Sequence, residues 1–409
     1  MRILIVSQYF WPESFIINDL ARSLADNGHK ITVATGKPNY PTGKLASGYR
    51  RGGMLVERFA EKVEVIRIPL RPRGSASAAG LILNYLSFLV SGLRHLPRVL
   101  RDSEFDVVFF FGVSPMTSAI PAALIARQKK AHLALWIQDL WPESLSATGF
   151  LNNRCMLWLV GLLMRGIYSR ADTIFLQSPA FEDSVSSYAD REKLVYLPNP
   201  APEDSDARSE VSPELAAEFE NCFSILFAGN LGRAQSVETI VGAARLLKCQ
   251  PQIRFIIVGS GSESDNLCSL LKRNQLTNVV LAGRLDREYM PQLFKRASVL
   301  LVTLKDDPGL NSVIPSKVQA YMQAGKPIIG ALAGEGARLI KSAECGLVVE
   351  PGDSEALAES ILTLASMPDN RLNEMGSAGR RHFEENFELG NTARKLIATL
   401  KSRMETRLR

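Results

Sequence analysis

Short runs of apolar residues alternate with amphipathic stretches along the whole chain. In the first half these runs predict strands at 3–6, 30–34, 63–68, 105–111, 132–136 and 173–177. In the second half they predict strands at 224–228, 255–258, 279–281, 299–303, 328–329 and 347–349. The intervening stretches have the spacing of amphipathic helices. Strands that are apolar on both faces and alternate with helices form parallel sheets covered by helices on both sides.

The clearest linker lies near residue 200, because the segment 197–206 contains three prolines and a cluster of polar residues. A chain of 409 residues is also longer than one hydrophobic core usually serves. The sequence therefore predicts an α/β protein of two doubly wound, Rossmann-like domains, 1–198 and 199–385, facing each other across a cleft. We expect the helical segment 386–409 to pack back toward the first domain. Ligands of such domains bind beyond the carboxyl ends of the strands.

Charge and composition exclude several classes of function. The formal net charge of +6 is a mild basic excess, which suits an anionic substrate or an anionic membrane surface. Since the chain has no dense run of Lys and Arg with interleaved aromatics, we expect no nucleic-acid binding. The five cysteines are scattered without CxxC spacing, which argues against a disulfide framework and a zinc site and favours a reducing compartment. The first apolar run is too short for a signal peptide, so we expect a cytoplasmic protein.

Two apolar segments, 78–93 and 156–164, are too short or too interrupted to span a membrane. The first is followed by Arg94, Arg98 and Arg101, and the second ends at Arg165. An apolar helix with basic flanks is typical of a segment that lies on a membrane surface. Two interpretations stay open for both segments: helices on the membrane surface, or helices packed in the core.

The tetrapeptide Trp-Pro-Glu-Ser occurs twice in the first half, each time after a predicted strand. Aromatic rings pack on the faces of sugars and carboxylates accept hydrogen bonds from hydroxyls, so we predict that these loops bind an acceptor sugar. Asp139, just before the second copy, is the candidate acid, base or hydroxyl orienter, and a carboxylate there could deprotonate an acceptor hydroxyl. Glu13 is a second catalytic candidate. Alternatively Asp139 caps a helix or fixes a loop, and Ser14 is a plain N-cap. The predicted acceptor residues are Trp11, Ser14, Trp141 and Glu143.

The strand-end loops of the second half favour phosphate. Gly229 lets the backbone approach a ligand, and Arg233 offers a planar guanidinium to a phosphate. Pro315 suits the first turn of a helix whose N-terminus attracts anions, and Lys317 adds a cation there. The alternative is an ordinary surface helix. The predicted donor-binding residues are Gly229, Asn230, Arg233, Gln235, Gly259, Arg284, Leu285, Pro315, Ser316, Lys317 and Gln319.

None of the four histidines lies in one of these loops, so we expect neither a histidine nucleophile nor a metal centre. With these loops in two such domains, nearly the whole chain resembles the GT-B glycosyltransferases of the GT4-like group. The closest likeness is to the subgroup of bacterial surface polysaccharide assembly that includes the L-fucosamine transferase of O-antigen synthesis. The motifs that carry the resemblance are Tyr9-Phe-Trp-Pro-Glu13, Gly28-His29, Asp139-Leu-Trp-Pro-Glu143, Gly229-Asn-Leu-Gly232, Val258-Gly-Ser-Gly261 and Pro315-Ser-Lys317 with Gly325-Lys-Pro327.

The resemblance implies a reaction and its partners. It implies transfer of N-acetyl-L-fucosamine, or a related 6-deoxy or N-acetyl hexose, from a UDP-sugar to a hydroxyl of a lipid-diphosphate-linked saccharide in O-antigen or capsule assembly. The enzyme would work peripherally on the cytoplasmic face of the inner membrane. It would need no cofactor or metal, because basic residues and the helix terminus stabilise the departing diphosphate.

The chain also departs from the family pattern. Two glutamates that usually hold the donor are replaced by Ser312 and Ala320, so ribose contacts stay open, although Gln319 is close. The usual histidine of the acceptor domain is missing, and Asp139 occupies its neighbourhood. Two other functions stay open: a UDP-sugar epimerase of the same architecture, which would retain acids and a histidine around the sugar, and a non-enzymatic sugar-binding module.

Overall fold

The structure is a computed structural model that describes residues 1–74, 78–147, 150–201 and 210–408. Residues 202–206 of the predicted linker lie outside those ranges. The chain divides into two compact units. One is formed by Met1–Pro202 together with Leu389–Arg409, and the other by Glu203–Glu388.

The first unit contains an eight-stranded sheet in the order β3-β4-β2-β1-β5-β6-β7-β8, in which only β3 and β4 pair antiparallel. Its strands are β1 (Arg2–Val6), β2 (Lys30–Gly36), β3 (Leu55–Phe59), β4 (Val63–Ile68), β5 (Val107–Gly112), β6 (His132–Ile137), β7 (Thr173–Leu176) and β8 (Leu194–Tyr196). Its helices are α1 (Ile16–Asp26), α2 (Ala78–Val99), α3 (Ala119–Lys129), α4 (Glu143–Ala147), α5 (Arg154–Ser169), α6 (Phe181–Ser186) and, at the far end of the chain, α16 (Leu389–Leu408).

The two faces of this sheet are covered by different helices. Ile3, Ile5 and Phe109 point to one face, where they form a core with α1 and with Leu396 and Leu400 of α16. Because successive side chains of a strand point to opposite faces, the intervening residues of these strands point to the other one. That face carries α2, α3 and α5, which pack side by side.

The second unit contains a six-stranded sheet, parallel throughout, in the order β11-β10-β9-β12-β13-β14. Its strands are β9 (Phe223–Ala228), β10 (Ile253–Val258), β11 (Val279–Gly283), β12 (Val299–Thr303), β13 (Ile328–Ala331) and β14 (Gly346–Val349). Its helices are α7 (Pro213–Ala217), α8 (Val237–Leu246), α9 (Ser264–Arg273), α10 (Met290–Arg296), α11 (Pro308–Asn311), α12 (Ser316–Gln323), α13 (Gly334–Ser342), α14 (Ser354–Ala365) and α15 (Asp369–Asn386).

The prediction of two doubly wound α/β sheets is confirmed. Two strands at the edges of the first sheet, β3 and β8, were not predicted. In β3 four of five residues are at least partly exposed and Glu57 and Arg58 are charged, so no apolar run marks the strand. The three residues of β8 are too few to form a pattern.

The apolar segment of α2 has side chains in the core and others on the surface. Phe88 and Leu96 are fully buried, whereas Leu86 is 47% and Val90 61% exposed. The same division applies to α5, where Met164 is buried and Trp158 is 64% exposed. Within the described residues, no helix combines the length and the apolar character that crossing a membrane requires.

Candidate functional site

The strand ends of the second unit bring most of the predicted donor loops to one edge. The loops after β9, β10 and β11 are joined by backbone hydrogen bonds, from the Gly229 N–H to the Val258 carbonyl and from the Gly259 N–H to the Gly283 carbonyl. Asn230 lies in the first of these loops and Gly259 begins the second. Arg284 and Leu285 follow β11 in the third.

Only glycine fits where the first two loops meet. Gly229 and Gly259 have φ values of +136° and +148°, which side chains rarely adopt. A Cβ on Gly259 would lie 1.8 Å from the carbonyl oxygen of Gly229. The two loops therefore lie in direct backbone contact at the edge of the sheet.

Lys317 is the second residue of α12, whose N-cap position is taken by Pro315. Its Nζ lies 3.6 Å from the centroid of the Phe227 ring, and its Cε would be 2.5 Å from a Cβ on Gly229. Nζ is buried and has no hydrogen-bond partner among the described residues. Burial lowers the pKa of this ammonium to about 7.

Two contacts hold α12 against the strand ends. The Ala228 N–H donates to the Tyr321 hydroxyl at 3.1 Å, and that hydroxyl lies 3.3 Å from the Ala228 carbonyl. Tyr321 and Gln319 are buried on the same helix, whereas Ser316 is exposed at its first turn. Neither Phe227 nor Tyr321 was predicted, because each looks like an ordinary core residue in its apolar surroundings.

Arg233 and Gln235 lie in a 3-10 turn after β9. The Arg233 side chain is largely exposed and makes a loose ion pair, 3.9 Å, with Glu263. An exposed pair of this length contributes little, so the guanidinium is available to a ligand. The Gln235 Oε1 accepts from the Gly232 N–H at 3.0 Å, which shows this side chain fixing the loop.

In the first unit, Asp139 follows β6 at the carboxyl edge of the sheet. The Ser114 hydroxyl donates to Asp139 Oδ2, and the Trp141 indole N–H donates to the same hydroxyl at 2.9 Å. Ser114 thus orients the carboxylate of a partly exposed Asp139. Ser114 was not predicted, although its position two residues after the strongly apolar β5 marks it as a strand-end residue.

The two Trp-Pro-Glu-Ser loops differ in what they expose. Both Trp-Pro peptide bonds are cis, but Trp11 is 38% exposed and Trp141 only 7%. Trp11 therefore offers a ring face, whereas Trp141 serves as a hydrogen-bond donor within the unit. Glu143 begins α4, and its Oε1 accepts from the Ser184 hydroxyl at 2.6 Å.

Ser14 and Glu13 have different surroundings. Ser14 is exposed and is not the N-cap of α1, because that position is held by Phe15. Glu13 is buried, and its Oε1 accepts from the N–H groups of Asn39 and Tyr40 at 2.7 Å each. Its Oε2 accepts from the Phe10 N–H at 3.3 Å, and burial raises its pKa. Glu13 ties the loops after β1 and β2 together, and its catalytic role stays a prediction.

An aromatic cluster that was not predicted lies beside Glu13. The rings of Tyr9, Phe15 and Tyr40 have centroids 5.3–5.7 Å apart, and Arg73 lies over the Tyr40 ring at 5.4 Å. Tyr40 is 45% exposed. Tyr40 lies 31 residues after Tyr9, so the fold brings its ring to the other two.

Among the residues that the structure describes, no three His, Cys, Asp or Glu side chains are grouped so that they could hold a metal ion. At the two positions where the family usually has glutamates, Ala320 has no polar side chain and the Ser312 hydroxyl donates to the Gly309 carbonyl at 2.9 Å.

Two family models match the chain. Residues 15–200 match the glycosyl transferase 4-like domain, and residues 212–382 match the glycosyl transferases group 1. Together the two matches cover most of the chain.

Curated relatives and a solved structure agree with these matches. The chain is 24% identical over 97% of its length, and 99% of the relative, to Escherichia coli K12 WcaI, whose name assigns it to colanic acid biosynthesis as a glycosyl transferase. It is 26% identical over 79% of its length, and 80% of the relative, to Pseudomonas aeruginosa WbjE, which is also named a glycosyltransferase. The structure of Anabaena HepE in complex with UDP matches 98% of this chain and all of that one, with a TM-score of 0.65 and 18% identity. That likeness concerns the fold, which is GT-B as predicted.

Proposed function

The chain belongs to the GT4-like group 1 glycosyltransferases, and on that premise we propose that it moves a sugar from a UDP-sugar to a hydroxyl of a lipid-diphosphate-linked saccharide in O-antigen or capsule assembly. N-acetyl-L-fucosamine or a related 6-deoxy or N-acetyl hexose is the proposed sugar. The UDP bound to HepE supports the choice of nucleotide, and the name of WcaI supports a role in polysaccharide assembly.

The observation that carries the proposal is the buried ammonium of Lys317. An unpaired cation removed from water is costly, and it is retained where a ligand supplies the missing anion. The ammonium lies against Gly229 and at a helix N-terminus, which favours phosphate. We infer that it binds the donor diphosphate, together with the exposed Arg233.

The chemistry then divides between the two units. Asp139, oriented by Ser114, accepts the proton of the acceptor hydroxyl as its oxygen bonds to the anomeric carbon of the sugar. The bond from that carbon to the diphosphate breaks, and its electrons leave with UDP. Lys317 and Arg233 stabilise the growing charge on the departing diphosphate, which is the task that metal ions have in other transferases. We therefore propose that no metal or cofactor is required.

The proposed place of action is the cytoplasmic face of the inner membrane, where a lipid-linked acceptor would be held.

The products that form distinguish sugar transfer from the two alternative functions, an epimerase and a sugar-binding module. Purified protein is incubated with a panel of UDP-sugars, with and without a lipid-diphosphate-linked saccharide. UDP released only with the acceptor, in step with a lengthened saccharide, is the expected result. An isomerised UDP-sugar would establish an epimerase, and UDP-sugar binding without any product would leave a sugar-binding module.

A further inference from the structure

The helices α2 and α5 present apolar side chains to the outside of the first unit. They recur at steps of one to four residues, which keep them on one side of each helix. Val90 is 61% and Trp158 64% exposed, which is unusual for large apolar residues. The exposed side chains are Ile82, Leu83, Leu86, Val90 and Leu93 on α2 and Met156, Trp158, Leu159 and Leu162 on α5.

This exposure is not needed to build the core. The opposite side of α2 buries Asn84, Phe88 and Leu96, and the opposite side of α5 buries Met164 and Ile167. Each helix is therefore already packed on the sheet by residues other than those it exposes. An apolar surface of this extent, left outside a complete core, marks a contact with something else.

A groove joins the two exposed stripes. It lies between α2, α3 and α5, has a volume of about 800 Å³, and is lined by Leu93, Ile120, Leu124, Leu162 and Ile167. Three cations line the same groove, Arg127, Lys130 and Arg170, together with Asp172, whose carboxylate accepts from the Leu133 N–H at 2.8 Å. The apolar surface is thus continuous across three neighbouring helices and is bordered by positive charge.

The charge of this face has one dominant sign. Neither α2 nor α5 contains an Asp or Glu, whereas exposed arginines lie along both, at 94 and 98 on α2 and at 154 and 165 on α5. Apolar side chains bordered by cations are the pattern of a surface that inserts at the boundary of headgroups and acyl chains. Each cation near an anionic bilayer adds favourable electrostatic energy.

We propose that the face formed by α2, α3 and α5 docks on a bilayer that contains anionic phospholipid. A second copy of the chain fits less well, because it would bring the same cations against each other, whereas lipid phosphates neutralise them. The inference deepens the proposed function and rests on it for its purpose, since a lipid-linked acceptor lies in such a bilayer.

The docking face is connected to the acceptor loops. Asn84 on α2 donates to the Arg71 carbonyl at 2.6 Å, and its Oδ1 accepts at 2.7 Å from Gln8, in the loop after β1. The exposed apolar residues of α2 begin one turn from Asn84 or less. Since helices that follow parallel strands start at the carboxyl edge, the first turns of α2 lie on the same edge of the sheet as Asp139. A bilayer on this face would bring the saccharide of a lipid-linked acceptor to that edge.

Vesicle binding tests the face without donor or acceptor. Wild-type protein is mixed with phosphatidylcholine vesicles, with or without phosphatidylglycerol, and pelleted. The double variant Val90→Glu with Trp158→Glu should bind mixed vesicles at least about tenfold more weakly, because two exposed apolar anchors become charged. Leu246→Glu on α8, at a residue that is 49% exposed, is the matched control and should bind like wild type.

A second pair of variants tests the cations. Arg127→Glu with Arg170→Glu should lower binding to phosphatidylglycerol vesicles, also by about tenfold, and binding should weaken with added salt. The control Arg245→Glu changes an exposed arginine of α8 and should have little effect. Unchanged thermal denaturation of every variant shows that these exposed positions do not hold the fold.

Three results would overturn the proposal. Wild-type protein could stay in the supernatant with both kinds of vesicle, or the control variants could lose binding as much as the test variants. A dimer that binds no vesicles and that Val90→Glu with Trp158→Glu dissociates in sedimentation would make this face an interface between copies. If vesicles bind as expected but no UDP-sugar is turned over, only the proposed function fails.

Discussion

Replacing Lys317 by methionine should stabilise the ligand-free protein and weaken its binding of the UDP-sugar donor. Methionine keeps the apolar contacts with Phe227 and the Gly229 loop but removes the buried charge. The pKa of the ammonium falls from 10.5 to about 7 in the folded chain. At about 1.36 kcal/mol for each pKa unit, the buried cation costs the free protein on the order of 3–5 kcal/mol.

The size of this effect depends on pH. Below pH 7 the ammonium is charged in both the folded and the unfolded chain, and the cost is fully present. Between pH 7 and 10.5 the folded chain releases the proton and the unfolded chain keeps it, so the cost shrinks as the pH rises. Chemical denaturation should therefore give Lys317→Met a free energy of unfolding about 2–4 kcal/mol above wild type at pH 6, with the difference shrinking toward pH 10.

Calorimetry measures the other half of the prediction. Affinity for a UDP-sugar should fall by about 1.5–3 kcal/mol in Lys317→Met, through the loss of a charge-assisted contact. At pH 8 the wild type should take up a proton on binding, because the diphosphate raises the pKa of the ammonium again. Titrations in buffers of different ionisation enthalpy detect that proton, and it should be absent in the variant.

The exposed Lys341 on α13 provides the matched control, since Lys341→Met should change neither stability nor affinity. A Lys317→Met variant that binds the UDP-sugar like wild type would refute the donor site. One that is no more stable than wild type at pH 6 would refute the unpaired buried ammonium.

Four further predictions concern other residues of the two sites. Asp139→Asn should abolish turnover and leave UDP-sugar affinity unchanged by calorimetry; near-normal turnover would remove Asp139 from the chemistry. Ser114→Ala should lower kcat by about tenfold, because the carboxylate loses its orienting donor, with little effect on donor affinity; a change in donor affinity alone would contradict that role. Glu13→Gln should lower the free energy of unfolding by about 2–3 kcal/mol, since a buried acceptor of three N–H groups is replaced by an amide. Loss of turnover at an unchanged melting temperature would instead make Glu13 catalytic. Gly259→Ala should lower the stability measured by thermal denaturation by at least about 2 kcal/mol and abolish binding of the UDP-sugar donor, because its Cβ would clash with the Gly229 carbonyl. A variant with the melting temperature and donor affinity of wild type would show that the loop can shift.

The alternation of strands and helices could be predicted because the central strands of both sheets are parallel and buried. Such strands are continuous apolar runs, and they are easily told from amphipathic helices. The edge strands β3 and β8 could not, since an edge strand is partly solvated and lacks that run. The positions of the strand-end loops followed from the strands, which is why Lys317 and Asp139 were singled out as candidates.

The surroundings of the site residues could not be predicted, because they depend on distant parts of the chain. Trp11 and Trp141 occupy equivalent positions in two identical tetrapeptides, yet one ring is exposed and the other buried. The partners of Glu13 come from residues 39 and 40, and the donor to Asp139 comes from Ser114. A sequence pattern identifies the edge of a sheet, but not which side chains on that edge bind each other and which remain for a ligand.

The place of α16 in the first unit has a consequence for the order of folding. The core beside α1 includes Leu396 and Leu400, so it is built from residues at both ends of the sequence. During synthesis, residues 1–202 leave the ribosome long before residues 389–408 exist, and that core stays incomplete meanwhile. The second unit is continuous in sequence and contains all its own strands. We therefore expect the second unit to finish folding first, although it is synthesised second. Until α16 is made, the first unit should expose apolar surface to which chaperones can bind.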